Sequence, residues 1–267
     1  MTRIKAPNWI RTCFGEVQRV EACYEGQAYA PHAHGGYGLA ITTQGVQSFN
    51  YRGVLRHSLP GNVVVLHPGE KHDGQAGSEQ PFVYRGMFID TADVQEILGG
   101  YGLPFLAGGV AISAPLVSVA KRALEDLARP LDKMEYQEIL HDFAHIMRCI
   151  ENNKVKHTTV NFNAMKLARE YICDSLDSEI TLEKLAEITG YSKWQITKDF
   201  RSLYGESPYR YLISRRLSRA KEMLEQGRSV AFVANELCFS DQSHFTRQFK
   251  KCFGITPFAW QQLIIGH

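Results

Sequence analysis

Three histidines in the first third of the chain, His32, His34 and His72, have the clearest capacity for chemistry. Three imidazoles can hold zinc with one coordination position left open. They can equally wall a polar ligand with hydrogen bonds. A second set, in the last third, is basic: Lys198, Arg201, Arg247 and Lys250. Such side chains donate to anions, and Lys or Arg can also donate to the O6 and N7 edge of guanine. No nucleophile elbow, P-loop or dinucleotide fingerprint occurs in the sequence.

The elements that would position the basic residues are written twice. The run from Phe200 to Tyr211 returns 49 positions later as Phe249 to Trp260, and upstream Gly190-Tyr191-Ser192 matches Cys238-Phe239-Ser240 at a spacing of 48. A two-copy repeat of this length implies one supersecondary unit used twice. In the first copy Leu182, Leu185, Ala186 and Ile188 mark a short amphipathic helix over Ile180–Ile188. Gly190 can supply the positive φ that ends it. Ser192 then caps a second helix running to about Tyr204, with Ile196, Phe200 and Leu203 on its inner face. Trp194, Lys198 and Arg201 lie on the opposite face, with Gln195 beside them and Thr197 on one flank. In the second copy Val230, Val233, Ala234 and Leu237 line the first helix, and Ser240 or Asp241 caps the next. Phe245 and Phe249 face inward there, while Ser243, His244, Arg247, Lys250 and Lys251 project outward. Helix, turn and capped helix with a basic outer stripe, seen twice, is a helix-turn-helix pattern, and double-stranded DNA is the partner it implies. Basic outer faces are usually only solvated. Recurrence at matching positions, Lys198 with Arg247 and Arg201 with Lys250, favours DNA.

Between the copies, Pro208 suits the first turn of a helix, and Tyr209–Leu224 reads as one uninterrupted amphipathic helix ended by Gln226-Gly227. It rises about 25 Å, enough to hold two reading heads in successive major grooves about 34 Å apart.

The segment from about Asn161 to Leu263 resembles the DNA-binding domain of the AraC/XylS family of bacterial transcription regulators. The run from Leu237 to Pro257, with Asp241-Gln242-Ser243-His244-Phe245 at its centre, carries the resemblance. It departs from the family pattern at Cys238, where glycine is usual, so some strain is expected in that turn. The resemblance implies base contacts from Trp194, Gln195, Thr197 and Lys198 in the first head, and from Gln242, Ser243, His244 and Arg247 in the second. Lys198 and Arg247 are the residues best suited to guanine.

From Val17 to Ile89 the chain changes character. Short β-rich segments (Leu39–Thr43, Gln47–Tyr51, Val63–His67 and Phe82–Ile89) alternate with glycine and proline turn signals, as in a small barrel or sandwich. Pro31-His32-Ala33-His34 and the run from Gly61 to His72 resemble the two motifs of the cupin barrel that serves as sensor in many regulators of this family. The resemblance makes His32, His34 and His72 equivalents of metal ligands in catalytic cupins. The expected carboxylate after His34 is missing, because Gly38 and Leu39 stand there. A metal-dependent cupin enzyme, or a metal sensor fused to a helix-turn-helix domain, is therefore the rival reading. The preferred one assigns no metal, no cofactor and no catalytic residue. It expects a small polar effector in the barrel, lined by His32, His34, Tyr37, His72, Tyr84 and Arg85, with His67 as a further candidate and Trp9 or Phe14 as a lid.

Ala114–Ala128 and Lys133–Glu151 read as helices, and Tyr136, Leu140, Phe143, Met147 and Ile150 alternate at four and three residues on the second. That seam either packs on its own barrel or, as the resemblance implies, joins two chains in a homodimer through residues 114–151. The expected organisation is α+β: a cupin-like effector-binding and dimerisation domain at 1–151, a linker at 152–160 and an all-α DNA-binding domain at 161–267, its two helix-turn-helix motifs joined by the long helix. Net charge is only +2, but 15 basic residues face 12 acidic ones after Val160, so the small excess lies in the right half. Six scattered cysteines without a CxxC spacing read as free thiols. No leader and no membrane-spanning run is read, so a cytoplasmic location is expected.

Overall fold

The computed structural model describes residues 9–13, 17–151, 160–253 and 255–265. The chain forms two compact units, Met1–Thr159 and Val160–His267, each treated by itself below. Residues 152–159 of the linker expected at 152–160, and Phe14, lie outside the described residues.

The first unit contains β1 (Trp9–Cys13), β2 (Arg19–Tyr24), β3 (Gln27–His32), β4 (Tyr37–Gln44), β5 (Gln47–Tyr51), β6 (Val54–Ser58), β7 (Val63–Leu66), β8 (His72–Ala76), β9 (Phe82–Ile89), α1 (Thr91–Leu98), β10 (Val110–Ala111), α2 (Ala114–Leu124) and α3 (Lys133–Glu151). The strands pair antiparallel in two sheets, in the orders β1-β2-β9-β4-β7-β10 and β3-β8-β5-β6. Among the described residues no strand pairing closes them into one ring. The chain changes sheet between β3 and β4, and the β3–β8 ladder is broken by register shifts on either side of Tyr29. Such irregularities bend a strand and end its regular pairing.

Strand alternation sorts the larger sheet into two faces. Tyr37, Leu39, Ile41, Val63, Val65, Met87 and Ile89 join one core with Leu116, Val119, Leu140, Phe143 and Met147 of α2 and α3. On the other face Ala40, Val64 and Leu66 meet Phe49 and Tyr51 of the smaller sheet. The α3 seam is therefore filled by the chain's own sheet: Tyr136, Leu140, Phe143 and Met147 are buried, and only Ile150, 36% exposed, stands clear of it.

The second unit is helical: α4 (Phe162–Asp174), α5 (Leu182–Thr189), α6 (Lys193–Tyr204), α7 (Pro208–Glu225), α8 (Val230–Glu236), α9 (Gln242–Phe253) and α10 (Pro257–Ile265). Local sequence dictates these boundaries. Asn161, Thr181, Ser192, Ser207 and Ser229 each accept, through the side chain, a backbone N–H three residues on, satisfying a donor the helix leaves orphaned. Gly190 and Gly205, at φ +74° and +77°, close α5 and α6 in the left-handed conformation. Phe200 and Phe245 are fully buried on the inner faces of α6 and α9, each stabilising the unit by roughly 1.5–3 kcal/mol.

Candidate functional site

On α6 the cap at Ser192 (3.2 Å from the Gln195 N–H) sets the helix start, so Trp194 and Lys198 lie one turn apart on the outer face. Trp194 is 69% exposed, and the Lys198 ammonium sits 5.0 Å from its ring centre. That cation–π contact presents charge and a flat apolar surface together. Arg201 continues the exposed stripe. Two expected contacts are engaged internally instead: Gln195 donates to Asp199 Oδ2 at 2.6 Å, and the Thr197 hydroxyl donates to the Lys193 carbonyl at 2.8 Å.

On α9 the cap is Asp241, whose Oδ1 accepts the His244 N–H at 2.6 Å. Gln242, Ser243, Arg247 and Lys250 are exposed along one side. His244 is half-buried, its ring 3.2 Å from Ser240 Oγ and 3.3 Å from the Gln248 amide. Cys238, in the turn before α9, adopts φ +50°, the left-handed conformation supplied in the first copy by Gly190.

Sequence reading missed Arg216. It is one of several basic residues on α7, yet only 6% of it is exposed. Its guanidinium donates to the carbonyls of Leu176 (2.9 Å), Ser178 (2.6 Å) and Cys238 (3.1 Å), tying the turn of the second motif to the loop after α4. Its spacing of three and four residues from Ile213, Leu212 and Ala220 puts it on the apolar stripe, a signal that was available.

In the first unit the structure brings His32, His34 and His72 together. Ring centres are 4.4 Å apart for His32–His72, 4.9 Å for His34–His72 and 6.2 Å for His32–His34. β3–β8 pairing sets His32 opposite His72. Tyr29, not anticipated, stands edge-on to His32 at 5.3 Å and accepts from Gln47 Nε2 at 3.2 Å. Tyr84 stacks on Tyr24 at 6.3 Å. Burial, reinforced by the neighbouring imidazoles, pushes His34 down to about 3 and His72 down to about 4. Among the described residues the three rings do not form a group arranged to hold a metal ion.

Two expected lining residues point elsewhere. Tyr37 is fully buried on the helix-facing side, donating to the Pro104 carbonyl at 2.6 Å and packing on Phe143. Arg85 pairs with Glu21 at 2.7 Å and donates to the Glu125 carbonyl at the end of α2. Period-two alternation puts both on the opposite face of the sheet from Ala40. His67 likewise packs on Tyr37 and Phe105. An open groove of about 980 Å³ lies apart from this cluster, bordered by Glu96, Arg122, Met134 and His141 of α1–α3.

Comparison with known proteins agrees with both halves. The family model described as AraC-like ligand binding domain matches residues 14–160, and the one described as helix-turn-helix domain matches residues 185–262. The uncharacterized HTH-type transcriptional regulator YbfI of Bacillus subtilis is 24% identical over 227 residues, covering 82% of each chain. The multiple antibiotic resistance protein MarA of Escherichia coli is 32% identical over 93 residues, 34% of this chain and 73% of that protein. ToxT from Vibrio cholerae O395 superposes with a TM-score of 0.65 at 10% identity, over 94% of this chain and 99% of that one, a likeness of fold. A ToxT structure with TM-score 0.62 and 12% identity, covering 95% of this chain and 98% of that one, holds an unsaturated fatty acid. Nothing in these relatives points to an enzyme or a metal sensor. With an AraC-like ligand binding domain matched over more than half its length and a helix-turn-helix domain after it, the chain belongs to the AraC family of DNA-binding transcription regulators.

Proposed function

We propose that α6 and α9 read two adjacent major grooves of one DNA site, with α7 holding them in register. The observation that carries this reading is the pair of capped helices, built on the same inner code, that leave Trp194, Lys198 and Arg201 and then Gln242, Ser243, Arg247 and Lys250 exposed. Lys198 and Arg247 donate to guanine edges, Trp194 contacts a thymine methyl or sugar, and Arg201 and Lys250 neutralise phosphates. Gln195, Thr197 and His244 reach bases by exchanging their internal hydrogen bonds for DNA ones.

Residues 1–151 bind a small effector among His32, His34, His72 and Tyr84, and 161–267 bind DNA, with 152–160 as the linker. The effector acts by binding two arrangements of the chain with different affinity, as any ligand that shifts an equilibrium must. Two chains associate through the surfaces of α2 and α3 that their own sheet leaves uncovered, where Met134 is 70% exposed. No helix among the described residues is long and apolar enough to cross a membrane, and a cytoplasmic location fits a DNA-binding chain.

Selection of randomised duplexes by the purified full chain, repeated with the Lys198→Ala, Arg247→Ala double variant, tests the reading. A motif of two blocks about one helical turn apart, lost in the variant, supports it. Salt-sensitive binding with no motif refutes sequence-specific reading by these helices.

A further inference from the structure

Each motif of the helical unit grips a different stretch of α7. Tyr211, near its start, packs on Phe200 and Tyr204 of α6, with ring centres 5.4 and 6.0 Å apart. Further along, Leu217, Ala220 and Leu224 join a core with Val233 of α8 and Phe249 of α9. Among the described residues no buried member of that core comes from α4, α5 or α6. Only Leu176, partly buried, reaches it from the loop after α4. The two heads therefore share a helix without sharing a core. Apolar packing is non-directional, so the angle between the heads depends on the polar contacts that cross from one to the other.

Those contacts converge on Arg216, at the middle of α7. Its guanidinium donates at 2.9 and 2.6 Å to the carbonyls of Leu176 and Ser178, in the loop that leads from α4 into the first motif. It also donates at 3.1 Å to the carbonyl of Cys238, in the turn that aims α9. The Cys238 thiol donates in turn to the Asp177 carbonyl at 2.9 Å. Together the four bonds stitch residues 176–178 to residue 238. A guanidinium is a rigid planar fork, so its bonds fix angles as well as distances. Arg216 is buried, which shields those bonds from competing water. Little packing backs the joint: a cleft of about 250 Å³ opens beside it, lined by Asp174, Leu176 and Asp177 from one segment and by Glu236 and Leu237 from the other.

We propose that Arg216 is a positioning residue for DNA recognition, an inference that rests on the reading of one site by both heads. It touches no base. By fixing the turn before α9 against the loop before α5, it sets the angle between the heads and so the spacing of base blocks that one chain accepts. Inserting one base pair turns the second block by about 35° and moves it by about 3.4 Å. A stiff joint converts that mismatch into lost contacts. A loosened one lets the second head follow the DNA, and it lowers affinity for the matched site because the effective concentration of that head falls.

The test uses the full chain and the duplex carrying the two-block motif recovered by selection, with versions that gain or lose one base pair between the blocks. Binding is titrated by fluorescence anisotropy for the unaltered chain, Arg216→Lys and Arg216→Gln. The readout is the ratio of affinities for matched and mis-spaced duplexes, which a lowered folded fraction does not move because it scales every duplex alike. The unaltered chain is expected to prefer the matched spacing at least tenfold, Arg216→Gln less than threefold, and Arg216→Lys in between. If the glutamine variant does not fold, the lysine variant carries the comparison, since its ammonium serves the three carbonyls less completely. Unchanged ratios in the variants, whatever their overall affinity, would overturn the proposal and leave Arg216 as a support of the fold alone. An unaltered chain that binds all spacings equally would overturn it too, while leaving base reading by each head intact. A selection that yields no two-block motif overturns both.

Discussion

Cys238→Gly should stabilise the helical unit. Cys238 holds φ +50° in the turn before α9, where a side chain's Cβ crowds the following carbonyl at a cost of roughly 1–2 kcal/mol. Glycine removes that crowding but loses more chain entropy on folding, roughly 0.5–1 kcal/mol. The substitution also deletes the thiol's 2.9 Å donation to the Asp177 carbonyl, a weak bond at an exposed position. The balance favours glycine by about 0.5–1 kcal/mol. In a unit of roughly 100 residues, 1 kcal/mol moves Tm by about 4 °C. Differential scanning calorimetry of the full chain, with Cys238→Ala alongside, separates the contributions, because alanine keeps the crowding and loses only the thiol. The expected order of stability is Gly, then Cys, then Ala. A glycine variant melting at or below the alanine variant would refute the argument from backbone conformation.

Arg216→Leu leaves the carbonyls of Leu176, Ser178 and Cys238 without their donor and should destabilise the same unit by about 3 kcal/mol or more, read as a fall in urea midpoint; Arg216→Lys should recover only part. Arg247→Ala should cost about 1–3 kcal/mol on the selected site and relax discrimination at one base pair. Lys250→Ala, by contrast, should weaken all sequences alike and lower the salt slope by about one. Because burial lowers His34 and His72 from 6.5 to about 3 and about 4, the unfolded chain binds more protons than the folded one between those values. Stability of the first unit is therefore complete above pH 6.5 and lost as pH falls, by up to about 1.4 kcal/mol per pH unit per group. A His34→Gln, His72→Gln variant should flatten that slope in urea titrations from pH 7 to 4.

How much of this was legible in the sequence depended on how local the determinants are. Ser192, Gly190, Ser207 and Pro208 act on backbone groups within a few residues, so α6 and α7 could be placed to within a residue. The strands over 47–51 and 82–89 and the helix over 133–151 were equally readable from their periods. Register was not. The shifts on either side of Tyr29 break the two-residue count along β3, which hid Tyr29 as a neighbour of His32. The fates of Tyr37 and Arg85 depended on which face of β4 and β9 the helices cover, and no short window records that. The α3 seam shows the same limit, since four-and-three spacing is written identically whether the surface opposite is a second chain or, as for Phe143, the chain's own sheet.

The uninterrupted α7 has a consequence for how target promoters can diverge. Over its 18 residues the helix rises about 27 Å, and both reading helices are packed within the one unit it threads. Removing a single residue would turn one head by about 100° against the other, so length cannot drift by small steps. If α6 and α9 read the two halves of one operator, as proposed, base pairs inside each half can be exchanged one at a time, each compensated by a single exposed side chain such as Lys198 or Arg247. The distance between halves has no such gradual route. Promoters that acquire control by this chain therefore share a spacing even where their letters differ, and a genome can be searched by that interval before any base preference is known.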